Sequence, residues 1–114
     1  MICAIILAAG KSRRMGTQKL LLPIAGRPMI AHVIKEVLRS AVKHVLVVTG
    51  PESVAIREAV AGLPVTLVTN DLPDGDMLSS IRCGLNALPA ECSMVLLVLG
   101  DQPGITAELI AQLI

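Results

Sequence analysis

The chain has 114 residues, 54% of them hydrophobic and 17% charged, enough for one domain with a real core and far too apolar for a disordered chain. A net charge of +1 and the complete absence of Phe, Tyr and Trp argue against nucleic acid as a partner, because there is neither a polyanion-gathering field nor an aromatic platform for bases. No apolar run approaches the roughly 18 residues of a membrane span, and the N-terminus lacks the basic region of a signal peptide, so no membrane association and a cytoplasmic location are expected.

Residues 2–7 are continuously apolar, as a central strand covered on both faces requires. After the loop that follows, Met29, Ile30, Val33, Ile34, Val37, Leu38 and Ala41 fall at helical spacing, which predicts a helix over 28–41 with Pro28 in its first turn. A second strand is predicted at 44–49 and a second helix at 52–61, ended by Gly62 and Pro64. Residues 65–69 form the third strand, and a turn-rich loop occupies 70–76. Met77, Leu78, Ile81, Leu85 and Leu88 mark a helix over 77–88, in which Gly84 costs up to about 1 kcal/mol unless close packing excludes a side chain there. A fourth apolar strand at 94–99 leads to a last helix with Thr106 as its N-cap. Nothing after Leu113 and Ile114 caps that helix, so the chain is expected to stop inside an element, C-terminally truncated, with 1–114 as a single incomplete domain. Strands alternating with helices imply an α/β fold with a mainly parallel sheet. Cys3, Cys83 and Cys92 form no CxxC pair and are odd in number, which predicts reduced, mostly buried thiols.

Two segments carry candidate chemistry, each at the carboxyl end of a buried strand, where open α/β sheets bind ligands. The first follows Leu7: Ala8, Ala9, Gly10, Lys11, Ser12, Arg13, Arg14, Met15 and Gly16, then Thr17, Gln18 and Lys19. Small residues let the backbone approach a ligand, glycines permit the turn that gathers N–H groups around an anion, and Arg14 and Lys19 can neutralise phosphate oxygens. It is neither a Walker A loop nor the dinucleotide fingerprint. The second is Gly100, Asp101, Gln102 and Pro103, where the proline biases Gln102 to an extended conformation and so holds the Asp101 carboxylate at the sheet edge. One such Asp is enough to anchor Mg²⁺, which takes most of its remaining ligands from phosphate and water. Asn70 is a candidate contact to ribose or base, and Ser79 has a helix N-terminal role in capping or anion contact. Ser80 has no nucleophile-elbow context, and His32 and His44 lack any partner cluster.

LAAGKSRRMGTQKLLLPIAGRPMIAHVI, SSIRCGL and VLGDQPGIT together resemble the MobA-like nucleotidyltransferase family, and within it the molybdenum cofactor cytidylyltransferases. The resemblance implies a Rossmann-like three-layer α/β/α fold of the nucleotide-diphospho-sugar-transferase type, an NTP bound with Mg²⁺, and transfer of its NMP to the terminal phosphate of molybdopterin. It implies that Ala8, Ala9, Gly10, Arg14 and Lys19 contact the nucleotide, with Leu7 at the start of that loop, and that Asp101 binds the metal. Guanylyl-transferring relatives usually carry LAGG in the first loop and Cys before the Asp of the second, so Ala9 and Gly100 point to CTP. A downstream molybdoenzyme or maturation protein is the implied macromolecular partner. Two alternatives stay open: a transferase of the same family with another nucleotide or a sugar or polyol phosphate acceptor, and a noncatalytic nucleotide-binding fragment or pseudoenzyme. Asp76 stands where relatives often have Gly, and the resemblance places a second metal-binding Asp and the acceptor pocket in later strands outside these 114 residues.

Overall fold

The computed structural model describes residues 1–8, 19–51, 54–71 and 76–114. Four strands form a parallel sheet: β1 (Ile2–Ala8), β4 (His44–Thr49), β5 (Thr66–Thr69) and β6 (Met94–Leu99), in the spatial order β5-β4-β1-β6. β1 lies centrally with Cys3 to Ile6 fully buried, as its unbroken apolar run requires. Register pairs Ala4 with Val45 and Leu96, and carries the ends of all four strands to a common carboxyl edge.

Helices cover both faces. On one side α1 (Met29–Leu38), α2 (Val54–Val60) and α4 (Ala107–Leu113) close a core of Ala4, Ile6, Val47, Val98, Ile30, Ile34, Ile56 and Ile110. On the other, α3 (Met77–Ala87) lies over Ile5, Leu7, Leu46 and Val48. A Cβ at Gly84 would come within 2.9 Å of the Ile5 Cγ2 methyl, so the helix touches the central strand where it carries no side chain. The helical penalty of that glycine is the condition for this close approach. The three-layer α/β/α architecture with a parallel sheet is therefore present, and no helix among the described residues is long and apolar enough to cross a membrane.

Several local outcomes differ from the sequence expectations. The first helix ends at Leu38 rather than 41, because the Ser40 hydroxyl donates to the Val37 carbonyl and accepts from the Val42 amide, diverting the chain from helical bonding. A short antiparallel hairpin, β2 (Pro23–Ile24) and β3 (Arg27–Pro28), turns through Ala25 and Gly26 at φ of 52° and 82°. Both central residues have positive φ, as a two-residue hairpin turn requires, but proline at each end and alanine in the turn gave no strand signal. The second helix is described from Val54, and residues 52 and 53 of its expected start lie outside the described residues. The thiol expectation is corrected: Cys3 and Cys92 form a disulfide, and Cys83 alone is free. Parity was a poor guide because β6 lies beside β1, which brings the loop before Met94 next to Cys3.

Candidate nucleotide site

The carboxyl edge is assembled from both sides of the sheet. On the β6 side, the Gly100 amide donates to the Leu7 carbonyl at 3.0 Å, so the Gly-Asp-Gln-Pro turn is fastened to the end of β1. The turn closes with Gln102 N donating to Leu99 O at 3.2 Å and Ile105 N to Gln102 O at 3.2 Å. Gly100 is buried, and a Cβ there would meet Ile30 Cδ1 at 2.7 Å and Leu20 Cδ2 at 3.0 Å. Leu20 is itself buried, and its packing at this glycine fixes the position of the residue before it. Lys19 thereby sits beside Asp101, with Nζ 3.7 Å from Oδ2, although 81 positions of sequence lie between them.

Both side chains remain accessible, at 57% and 42% exposure, so this is a loose pair in water rather than a buried bridge. Such a contact contributes little to stability and exchanges readily for a competing anion or cation. Lys19 offers a compact positive charge to phosphate. Asp101 offers hard carboxylate oxygens to a divalent ion, and its exposure leaves room for the phosphate and water oxygens that Mg²⁺ prefers. No cluster of three or more His, Cys, Asp or Glu side chains suited to a metal occurs among the described residues. The donor set fits a cation shared with a phosphate ligand, not an all-protein cage.

On the β5 side the edge is polar and closely bonded. Asn70, only 2% exposed, donates its amide N–H to the Thr49 carbonyl at 2.8 Å. Its side-chain Nδ2 donates to Ser79 Oγ at 2.8 Å and Ser80 Oγ at 3.1 Å. Asp76 caps α3, accepting from the Ser79 amide at 2.8 Å, and its carbonyl accepts from the Ser79 hydroxyl at 3.0 Å. Asn70 therefore clasps the start of α3 to the end of β5. Three strand spacings of about 4.8 Å put this cluster roughly 14 Å from the Asp101 side of the edge.

Of the residues singled out from sequence, the structure brings Lys19 and Asp101 together and gathers Asn70 with Ser79. Leu7 and Ala8 are each 7% exposed; the Leu7 side chain is core, and its carbonyl is taken by Gly100. Ala9, Gly10 and Arg14 lie outside the described residues. Sequence reading missed Thr49, which ends β4 fully buried with a hydroxyl that has no hydrogen-bond partner among the described residues. The available signal was a single hydroxyl closing an apolar strand.

Residues 4–114 match the MobA-like NTP transferase domain. The chain belongs to that family. It is 35% identical over 119 residues to the bifunctional protein GlmU of Mycolicibacterium paratuberculosis, covering 96% of this chain and 24% of that relative. Among solved structures, a nucleotidyl transferase from Methanothermobacter superposes with a TM-score of 0.86 at 32% identity, covering 98% of this chain and 56% of the other. The fold is shared also with Rv0371c of Mycobacterium tuberculosis H37Rv in complex with manganese, with a TM-score of 0.80, 23% identity, and 98% and 56% coverage. The chain thus spans about a quarter of the length of the curated relative and a little over half of these solved chains.

Proposed function

We propose that this chain supplies the nucleotide-binding part of a metal-assisted nucleotidyltransferase, with residues 1–114 belonging to a single domain of it. The observation that carries the reading is the meeting of Lys19 and Asp101, 3.7 Å apart at the carboxyl edge, where the strand next to β1 ends. In this reading Lys19 and Arg14 bind phosphate oxygens of an NTP, and the main chain of Leu7, Ala8, Ala9 and Gly10 lines the phosphates. Asn70 and Ser79 lie toward its nucleoside, and Asp101 holds Mg²⁺. A bound divalent ion supplies charge neutralisation at the reacting phosphate. An acceptor phosphate oxygen attacks the α-phosphorus in line, the bond to the bridging oxygen breaks, and pyrophosphate leaves with the electron pair. This chemistry needs positioning and charge rather than a covalent side-chain nucleophile, which suits the residues of the edge.

The finer reading is CMP transfer from CTP to the terminal phosphate of molybdopterin, in the cytoplasm and ahead of a molybdoenzyme or maturation partner. It is supported by Ala9 and Gly100 within the two motifs. A sugar or polyol phosphate is the second acceptor class, favoured by the similarity to GlmU. Calorimetry with CTP, UTP and GTP in Mg²⁺, followed by pyrophosphate release with each acceptor class, separates these. In a protein that carries the rest of the family domain, preference for CTP and turnover with molybdopterin are expected. Preference for another nucleotide sinks the cytidylyl reading, and absence of all nucleotide binding sinks the site.

A further inference from the structure

β6 is fastened to β1 at both ends, by different means. At its far end the Gly100 amide donates to the Leu7 carbonyl at 3.0 Å. At its start the tie is covalent: Cys92, just before Met94, is joined to Cys3 on β1 across a sequence separation of 89, with the two Cα atoms 6.0 Å apart. Register sets Cys3 opposite Val95, so the bond lies where the strand begins. Little else holds this strand. Among the described strands it pairs with β1 alone, and Leu97 is 52% exposed because α3 packs chiefly elsewhere on the sheet. An element with so few buried contacts opens locally before the whole fold does. The two sulfurs are placed unequally, since Cys3 is fully buried and Cys92 half-buried, so an external thiol reaches the bond from the Cys92 side. The segment around Cys92 also has its own anchorage. The Ser93 amide donates to the Met1 carbonyl at 2.8 Å, and the Cys92 amide to the Pro89 carbonyl at 3.2 Å. These bonds keep the cysteines close when the covalent link is open, so re-forming it does not require the long loop to close anew.

We propose that the Cys3–Cys92 pair is a reversible redox clamp on β6, closed as a disulfide and open as two thiols, which sets how readily the start of the strand leading to Asp101 peels from β1. In closing, the two thiols form the Sγ–Sγ bond and pass two electrons and two protons to a low-molecular-weight disulfide, which is cleaved to two thiols. A dithiol reverses the exchange. Cys83, on α3, takes no part. A disulfide that merely staples the chain acts through the unfolded state and affects the opening of the molecule as a whole. A clamp acts within the folded state as well, on β6 more than on the enclosed strand β4.

The test is native-state hydrogen exchange on the chain oxidised with glutathione disulfide and reduced with dithiothreitol, with reactive thiols counted in denaturant. Of the three cysteines, Cys83 alone is expected to react in the oxidised chain and all three in the reduced one. On reduction the exchange of β6 amides relative to β4 amides is expected to rise about 10-fold or more, and the melting temperature to fall by about 10 °C. Returning glutathione disulfide to the folded, reduced chain is expected to restore both. Cys92→Ser should show the reduced pattern under either condition, and Cys83→Ser should respond as wild type does. An unchanged ratio of β6 to β4 exchange overturns the proposal and leaves the bond a staple of the unfolded chain. Reduction that proceeds only after the protein has been unfolded overturns it too, as do three reactive thiols after oxidation. A Cys83→Ser chain that no longer responds to oxidant would assign the chemistry to another pair. None of these measurements involves nucleotide, so the clamp and the nucleotide site stand or fall separately.

Discussion

Lys19 and Asp101 owe their proximity to packing beneath them rather than to attraction between them. Their separation and exposure make the pair weak, so Lys19→Ala should leave the melting temperature nearly unchanged. Nucleotide affinity should fall about 10- to 100-fold, since charged hydrogen bonds contribute about 1.5–3 kcal/mol each. In a protein that carries the rest of the family domain, Asp101→Asn keeps the shape and should cost turnover about two to three orders of magnitude in pyrophosphate release while the fold persists. Near-normal turnover would leave Asp101 as a turn residue. Gly100 is where the placement is most sensitive. A methyl there meets Ile30 and Leu20, the side chain that anchors Lys19, so Gly100→Ala should destabilise by about 1–3 kcal/mol through overpacking. It should also weaken nucleotide binding although it removes no ligand-binding group, and a Gly100→Ala variant with wild-type affinity would show that Leu20 does not set the position of Lys19. The two motifs made Lys19 and Asp101 readable in the sequence. The buried state of Asn70 and the unpaired Thr49 hydroxyl were not readable, because each depends on which neighbour lies across the sheet, and local spacing does not encode that.

Helix α4 is held to α1 by a carboxylate. Glu36 Oε1 accepts the Ala107 amide at 3.0 Å across 71 positions, while Arg39 grips both Glu36 oxygens and extends to Glu108. The Ala107 N–H first, and then Arg39, hold the Glu36 carboxyl below its ordinary value of 4.5. A carboxyl whose folded value is lowered contributes stability above its unfolded value, and that contribution disappears as pH falls through the lowered one. Docking of α4 should therefore be constant at neutral pH and weaken below about pH 4.5. Glu36→Ala should remove that acid sensitivity and accelerate hydrogen exchange over Ala107–Leu113 at neutral pH, with the central strands still protected. Unchanged exchange in α4 would mean that Ile110 packing alone secures the helix. The start of α4 was legible because its cap is local: Thr106 Oγ1 accepts from Leu109 N at 3.0 Å. The Glu36 contact was invisible for the opposite reason, since a glutamate on an amphipathic helix reads as a solvated face. The same contrast separates β4 and β6, whose bounds follow from apolar runs, from the small hairpin at Ala25 and Gly26, whose pairing depends on backbone angles.

At the scale of the molecule, burial is uneven across the sheet. β1 and β4 are enclosed on both faces, whereas β6, like β5 at the other end, is an outer strand, and α3 packs chiefly on β4, β1 and β5. Six apolar residues, Met94 to Leu99, consequently form an edge with no charge, proline or bulge to discourage pairing, and Leu97 is 52% and Met94 42% exposed. Leu78, Leu85 and Leu113 add further exposed apolar surface. An edge of this composition is a template for another strand. The 114-residue chain should therefore self-associate, with a sedimentation-derived mass that rises with concentration above the 11.9 kDa of one chain. Leu97→Lys puts a charge on the most exposed position of β6 and should shift the distribution toward monomer. Its own stability should change little, because a side chain half in water loses only part of the roughly 2 kcal/mol of a fully buried leucine. The variant also distinguishes edge pairing from general stickiness. If association runs through β6, Leu97→Lys should act more strongly than Leu85→Lys on α3, whose exposure is similar at 48%. Equal effects would assign self-association to diffuse hydrophobic contact, and a wild-type chain that sediments as a monomer at every concentration would show that this edge does not pair.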